Sequence, residues 1–234
     1  MQLFVIDYTK KGETIIIADS DLLSQIRKVL RVRIGDTIWI QNPEYEHTKT
    51  RYEIRIDMWD NKTLEWTIIS KHYHESITTT KSMIIALPNK RDKIELIVQK
   101  LTECWLDQIV FWPAERSIIK DWNPKKEERL RKIMKEAVEQ SRWRKMPELH
   151  FAKDIKTYIQ DGAIIIFDKT SIHGNTWGTR NKGQVTGVVG PEWWLTPKDY
   201  ELFSAKNPEI RSLWDTVLRI ETAAIIWGWI VKNT

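Results

Sequence analysis

The sequence predicts an α/β protein in two parts, a β-rich N-terminal domain and a larger C-terminal domain built on a mainly parallel sheet. Three observations predict it. Residues 1–70 are dominated by short, β-branched, alternating segments. Residues 71–81 are polar and aperiodic. From Ser82 onward, apolar strand-like runs alternate with amphipathic helical stretches, the pattern of β-α-β units. The domains are placed at 1–74 and 80–234.

In the N-terminal part, residues 3–6 and 14–18 read as strands separated by a turn at Lys11-Gly12. Residues 19–30 carry Leu22, Leu23, Ile26, Val29 and Leu30 at helical spacing. Gly35-Asp36 marks a turn before strands at 37–41, 52–58 and 64–69. The middle one alternates polar and apolar residues, as a half-buried strand does. The sum is a small β-barrel with one helix.

In the C-terminal part, 82–87 reads as a buried strand and 92–104 as a helix with Ile94, Ile97, Val98 and Leu101 on one stripe. A strand at 108–111 follows. Asn123-Pro124 supplies a cap and a first-turn proline for a helix reaching Ser141. Strands are predicted at 163–167 and 185–189, and Thr196-Pro197-Lys198-Asp199 resembles a capping box. The last helix is predicted over 221–231.

Composition narrows the function classes. The single cysteine, Cys104, excludes a disulfide framework and a cysteine-rich metal site, and its helical context points to a structural thiol. A reducing cytoplasm fits. Residues 1–7 lack a basic region followed by a long apolar one, so no signal peptide is expected. No apolar run approaches the roughly 20 residues needed to span a bilayer, so no membrane association is expected. His72 and His74 share a strand face without a third ligand nearby, and no metal site is predicted. No phosphate-binding or dinucleotide glycine fingerprint and no nucleophile elbow is present.

The net charge of +5 suits a polyanionic partner. Basic residues gather at Arg27, Lys28, Arg31 and Arg33, at Lys90, Arg91 and Lys93, and at Arg142, Arg144 and Lys145. Such clusters bind phosphate by counterion release, and each also reads as a solvated helix face.

Tryptophan is anomalous, with 13 Trp against 9 Gly. An average chain of this length holds about 7% glycine, or roughly 16 residues. One explanation is a source whose UGA codons are read as glycine, so that several written tryptophans are glycines there.

Two loops carry the strongest functional signal. The first is Gly190-Pro191-Glu192-Trp193-Trp194-Leu195-Thr196, and the second runs from Leu213-Trp214 through Leu218-Arg219-Ile220-Glu221-Thr222-Ala223. Each joins a strand-like segment to a helix start, where α/β proteins place ligands. Upstream stand Pro88-Asn89-Lys90-Arg91-Asp92-Lys93, Glu115-Arg116-Ser117 and Glu139-Gln140-Ser141. Together, in this order, they resemble the RsmE-type ribosomal RNA uridine-N3 methyltransferase family of the SPOUT, or trefoil-knotted, superfamily. The family loops read Gly-Pro-Glu-Gly-Gly and Leu-Gly-x-x-x-Leu-Arg-x-Glu-Thr-Ala. Trp193, Trp194 and Trp214 stand at family glycines, as do Arg91 and Trp105.

The resemblance implies a SPOUT-type trefoil-knotted α/β methyltransferase domain behind an N-terminal PUA-like β-barrel domain that binds RNA. It implies S-adenosyl-L-methionine as methyl donor, with no metal, 16S ribosomal RNA of the small subunit as substrate, and a homodimer. Cofactor binding is expected from Phe167, Asp168, Gly190, Pro191, Glu192, Trp193, Leu213, Trp214, Leu218, Ile220 and Thr222. Arg27, Lys28, Arg31, Lys90 and Arg91 are expected to contact RNA.

Uracil N3 is protonated at neutral pH, so methylation requires loss of that proton and stabilisation of charge on the uracil oxygens. Arg219 and Arg116 are the candidate stabilisers, since guanidinium donors suit a developing anion. Glu221, Glu192 and Glu115 are candidate bases, with solvent as the alternative; Glu192 and Glu221 also read as helix-terminal carboxylates. Two other readings stand beside this one. One is an RNA-binding protein on the same scaffold with impaired catalysis, its loops crowded by indoles. The other is a methyltransferase of this superfamily acting on another RNA.

Overall fold

The computed structural model describes residues 2–17, 23–24, 26, 32–43, 50–59, 64–73, 79–143, 145–159, 161–168, 183–212 and 217–234. The chain divides into two units, residues 1–76 with 138–146, and residues 77–137 with 147–234.

The first unit is one six-stranded sheet. Its strands are β1 (Leu3–Val5), β2 (Thr9–Lys11), β3 (Thr14–Ile17), β4 (Thr37–Gln41), β5 (Thr50–Trp59) and β6 (Leu64–Tyr73). They lie in the order β1-β4-β5-β6-β3-β2. β1 and β4 are parallel and the other pairs antiparallel. Period-two alternation puts Ile15 and Ile17, Ile38 and Ile40, Ile54 and Ile56, and Trp66 and Ile68 into one core with Phe4 and Ile6. Register shifts at Glu53/Ile54 and Ile56/Met58 add twist to the β5–β6 ribbon. Among the described residues the sheet is open, with β1 and β2 as its edges. The predicted helix at 19–30 falls mostly outside the described residues, although Leu23 and Ile26 sit in this core.

β2 was not predicted. Its residues, Thr9-Lys10-Lys11, are exposed and polar, and they pair with β3 across Gly12, whose φ of 62° makes the tight return. Residues 138–146 belong to this unit through polar anchors. The buried Arg51 donates from Nη2 to the carbonyls of Arg142 and Trp143, each at 3.1 Å, and to Gln41 Oε1. Glu139 Oε1 accepts the Val5 backbone N–H at 2.9 Å. Val138 and Met146 pack on Leu3, Val5 and Trp39.

The second unit has six parallel strands: β7 (Lys81–Ala86), β8 (Gln108–Trp112), β9 (Glu148–Phe151), β10 (Ala163–Phe167), β11 (Val185–Val189) and β12 (Glu209–Arg211). Their order is β12-β10-β11-β7-β8-β9. The helices are α1 (Arg91–Glu103), α2 (Glu127–Ser141, whose last residues fall in the first unit), α3 (Pro197–Ser204) and α4 (Ile220–Asn233). β9 and β12 were not predicted, being short edge strands of mixed polarity. The predicted capping box of α3 is present, with Thr196 and Asp199 exchanging bonds.

The chain leaves β7 toward β8 and β9, then returns to the other side of β7 for the remaining strands, so the order reverses between β7 and β11. Such switch points open a crevice at the carboxyl ends of the strands. α4 covers this region, packing on α1, β7 and β11. Two glycines allow its approach. A Cβ on Gly187 would meet Met83 Sδ at 2.5 Å and Val231 Cγ2 at 2.7 Å, and one on Gly228 would meet Leu101 Cδ2 at 2.3 Å.

α1 ends in a Schellman motif. Trp105 N–H donates to Thr102 O and Leu106 N–H to Leu101 O, with Trp105 at φ 66°. Glycine is the residue this position favours. Cys104, next to it, is half-buried, and burial pushes its thiol above the ordinary value.

Two stability changes are expected. Gly187→Ala overpacks the α4–sheet contact and costs about 1–3 kcal/mol. Trp105→Gly relieves left-handed backbone strain and gains about 1 kcal/mol. Thermal unfolding checks both, at about 2–4 °C per kcal/mol for a chain of this size.

Candidate active site

A hollow lies at the carboxyl ends of β10, β11 and β12, against the start of α4. β10 delivers Phe167 and Asp168, β11 delivers Val189 and Gly190, and β12 ends in Arg211 and Ser212. The loop after β11 adds Pro191, Glu192, Trp194 and Leu195, and the approach to α4 adds Val217 and Leu218. Ile220, Ala223 and Trp227 complete it from one face of α4.

One wall is aromatic, with Phe167 and Trp227 stacked at 3.6 Å between centroids and 13° between planes. The β11 loop folds back tightly. Trp194 N–H donates to Pro191 O at 3.0 Å, and a Cβ on Gly190 would meet Leu195 Cγ at 2.9 Å. Trp194 itself sits at φ 60°. The hollow has a volume of about 90 Å³.

Charges at the rim are paired. Lys93, on α1, reaches Glu192 Oε1 at 2.7 Å and Glu221 Oε2 at 3.5 Å. The hydrogen bond to Glu192 raises the Lys93 ammonium above its ordinary value. Burial pushes the Glu192 carboxyl up, but the Lys93 hydrogen bond, a backbone bond and the Lys93 charge outweigh it, so its pKa lies below the ordinary one. Asp168 Oδ2 accepts from Tyr200 Oη at 2.6 Å.

A second loop, 113–117, is fixed beside the first. Asp199, nearly fully buried, accepts from Glu115 N–H at 3.0 Å while its other oxygen accepts from Thr196 N–H and Oγ1. Arg116 next along donates from Nη1 to Trp193 O at 2.7 Å.

Of the expected cofactor residues, Phe167, Asp168, Gly190, Pro191, Glu192, Leu218 and Ile220 line this hollow. Trp193 and Thr222 do not line it and are exposed. Thr222 follows Ile220 by two, which turns it to another helix face. Leu213 and Trp214 lie outside the described residues.

Of the expected catalytic residues, Glu221 is at the rim, Arg219 is exposed as the residue preceding α4, and Arg116 is held on the β11 loop. Lys90 and Arg91 are exposed at the start of α1, where Arg91 pairs with Glu95 at 2.6 Å. Glu95 is held below the ordinary carboxylate value, chiefly by its hydrogen bond from Arg129. Arg27, Lys28 and Arg31 lie outside the described residues.

The sequence reading missed Trp227 and Ala223, which follow Ile220 at helical spacing and were open to detection by that periodicity. It also missed Arg211 and Ser212, which end an edge strand with no sequence pattern of its own. Among the described residues, no cluster of three His, Cys, Asp or Glu side chains is placed to hold a metal, and no helix is long and apolar enough to cross a membrane.

A parallel sheet with helices packed on it and a hollow at the carboxyl ends of β10, β11 and β12 defines an α/β protein with a candidate ligand site. Residues 77–231 match the RNA methyltransferase domain model, and the chain belongs to that family. The chain is similar to ribosomal RNA small subunit methyltransferase E of Bacillus subtilis, with 26% identity covering 96% of this chain and 93% of that protein. It is 25% identical to the protein of the same name from Rickettsia conorii, covering 96% and 91%. In structure it is similar to ribosomal RNA small subunit methyltransferase E from Neisseria gonorrhoeae bound to S-adenosyl methionine. That similarity has a TM-score of 0.79 at 18% identity, covering 100% and 97% of the two chains. The resemblance drawn from the two loops therefore holds at the level of the RNA methyltransferase family.

The Lys93–Glu192 pair gives a signed pH expectation. The lowered carboxyl contributes stability above the ordinary carboxylate range and loses it as pH falls through its folded value. The raised ammonium contributes below the ordinary ammonium range and loses it as pH rises through its folded value. Lys93→Met therefore melts below the wild type around neutral pH, and the difference shrinks below about pH 4. Thermal melts across pH measure it.

Proposed function

We propose that the chain transfers a methyl group from S-adenosyl-L-methionine to N3 of a uridine in 16S ribosomal RNA. The observation that carries this is the hollow itself. The first loop singled out in the sequence lines it together with Val217, Leu218 and Ile220 of the second, at the carboxyl edge of a parallel sheet, in a chain that matches its relatives nearly end to end.

The residues fit such a cofactor. A stacked aromatic pair and aliphatic side chains suit an adenine ring, while the Asp168 and Glu192 carboxylates suit a sulfonium and an ammonium. When bound, the cofactor supplies an electrophilic methyl group with a good thioether leaving group. Phe167, Asp168, Gly190, Pro191, Glu192, Leu218 and Ile220 would hold it in this reading. The chain's own task is to orient N3, take up its proton and stabilise charge on the uracil oxygens, with Arg116 or Arg219 as the donor. Glu221 is a weaker base candidate than the sequence suggests, because Lys93 stands 3.5 Å from it.

The same reading assigns residues 1–74 to a PUA-like RNA-binding barrel, with Arg27, Lys28 and Arg31 on phosphate and Lys90 and Arg91 adding to that surface. It assigns residues 80–234 to a trefoil-knotted SPOUT domain that works as a homodimer in the cytoplasm.

One observation favours a second reading, an RNA-binding protein that no longer takes up cofactor. The hollow's volume of about 90 Å³ is small, since ligand sites usually enclose about 300–1,000 Å³. Trp194, an indole at a left-handed position, forms part of its wall.

Calorimetric titration of S-adenosyl-L-methionine separates the two. Micromolar binding by the wild type supports the enzyme; binding by Trp194→Gly alone supports the second reading. With cofactor bound, Arg116→Ala and Arg219→Ala on small-subunit RNA identify the stabiliser as the one that lowers kcat about 10²–10³-fold. Unchanged methyl transfer in both would remove them from the chemistry.

A further inference from the structure

A second, larger hollow of about 530 Å³ adjoins the first and shares Asp168, Trp194 and Leu195 with it. Arg116, Tyr200 and Ile210 belong to the second hollow alone. Its volume falls in the range of about 300–1,000 Å³ typical of small-molecule sites. Its polar groups form a short, ordered set. The Asp168 carboxylate is buried and receives the Tyr200 hydroxyl at 2.6 Å. The Arg116 guanidinium carries five N–H donors, and its bond to Trp193 O uses one nitrogen, Nη1. Leu195 and Ile210 supply apolar wall.

We propose that this second hollow takes the acceptor base, a uracil ring, with Asp168 accepting the N3 proton, Arg116 donating to a ring carbonyl oxygen and Tyr200 positioning Asp168. The inference rests on the methyltransferase reading and adds to it the acceptor subsite. Uracil presents a donor, N3–H, between two carbonyl acceptors. Cytosine presents an acceptor at N3 beside an amino donor. With the Asp168 carboxylate facing N3 and Arg116 facing a ring carbonyl, uracil's donor and acceptor are both matched, whereas cytosine would set its N3 lone pair against the carboxylate, so this placement favours uracil as well as activating it.

The step balances. The N3 proton passes to the Asp168 carboxylate and then to solvent. The electron pair left on N3 forms the bond to the methyl carbon, while the carbon–sulfur bond breaks with its electrons remaining on sulfur. Sharing of Asp168 between the hollows places the proton acceptor where the two ligands meet.

The test is binding of uridine 5′-monophosphate and cytidine 5′-monophosphate, followed by NMR titration, alongside calorimetry with S-adenosyl-L-methionine. The wild type is expected to favour the uridine nucleotide at least 10-fold. Ile210→Trp fills only the second hollow, and Arg116→Ala removes its donor. Both are expected to weaken the uridine nucleotide at least 10-fold, and Ile210→Trp is expected to leave cofactor affinity within 2-fold. Tyr200→Phe is expected to lower kcat about 10-fold with KM for RNA unchanged, a split that a general loss of structure would not give. Equal binding of the two nucleotides, or unaltered uridine nucleotide binding by Ile210→Trp, would overturn the subsite. If the wild type fails to bind S-adenosyl-L-methionine yet discriminates the nucleotides through Arg116, the methyltransferase reading falls and the pyrimidine site stands.

A different observation carries a second inference. Four described residues other than glycine lie in the left-handed region, and two of them are Trp105 and Trp194, at φ 66° and 60°. Bulky residues are outliers there. Trp105 occupies the Schellman position that favours glycine, and Trp194 takes the same left-handed conformation in the tight β11 loop. Set beside 13 Trp and 9 Gly in the chain, the geometry points to UGA codons at these two positions, read as glycine in the source organism. Reading the gene decides it. UGA at both is expected, with glycine in peptides from the native protein by mass spectrometry; UGG at either, or tryptophan in the native peptide, overturns it.

Discussion

The seating of α4 on the parallel sheet is the contact on which the second unit depends. It is possible only because Gly187 and Gly228 present no side chain where the helix crosses β11 and α1. Once seated, the helix delivers Ile220, Ala223 and Trp227 from one face, and Trp227 reaches Phe167 to close the aromatic wall. The wall is therefore set by main-chain proximity between elements distant in sequence. A hollow built this way is rigid at its floor, because close packing resists change in volume.

The other side of the site is held by a single carboxylate. Asp199 completes the cap of α3 with one oxygen and fixes the Glu115 amide with the other. A capping interaction ordinarily serves only its own helix. Here it also sets the loop that carries Arg116, and Arg116 in turn holds the backbone of the β11 loop at Trp193. Two loops that the sequence separates by about 80 residues are tied through one buried side chain and one exposed one.

Long, strongly patterned elements were legible in the sequence. The stripe of α1, the start of α3 and the buried strands β7, β10 and β11 follow from apolar periodicity and capping residues, since those features act locally. β2, β9 and β12 escaped because an edge strand is defined by its neighbour's hydrogen bonds, and three residues such as Thr9-Lys10-Lys11 or Glu209-Ile210-Arg211 are too few to establish a period. The site divides the same way. Gly190, Pro191, Glu192 and Ile220 were found because the loop sequences are distinctive. Arg211, Ser212 and Tyr200 were missed because only the return of the chain to the β10 edge brings them near Asp168. Lys93 stood within a noted basic cluster, but its bridging role needs the juxtaposition of α1, the β11 loop and α4.

That bridge has an electrostatic consequence. Two carboxylates and one ammonium leave the rim with a net charge of −1 rather than −2. A cation approaching the hollow meets a rim that already carries its own counterion, so long-range attraction is muted and recognition falls to short-range contacts inside. Loading by a cationic ligand should then respond only weakly to ionic strength, because screening acts chiefly on exposed charge beyond about 10 Å.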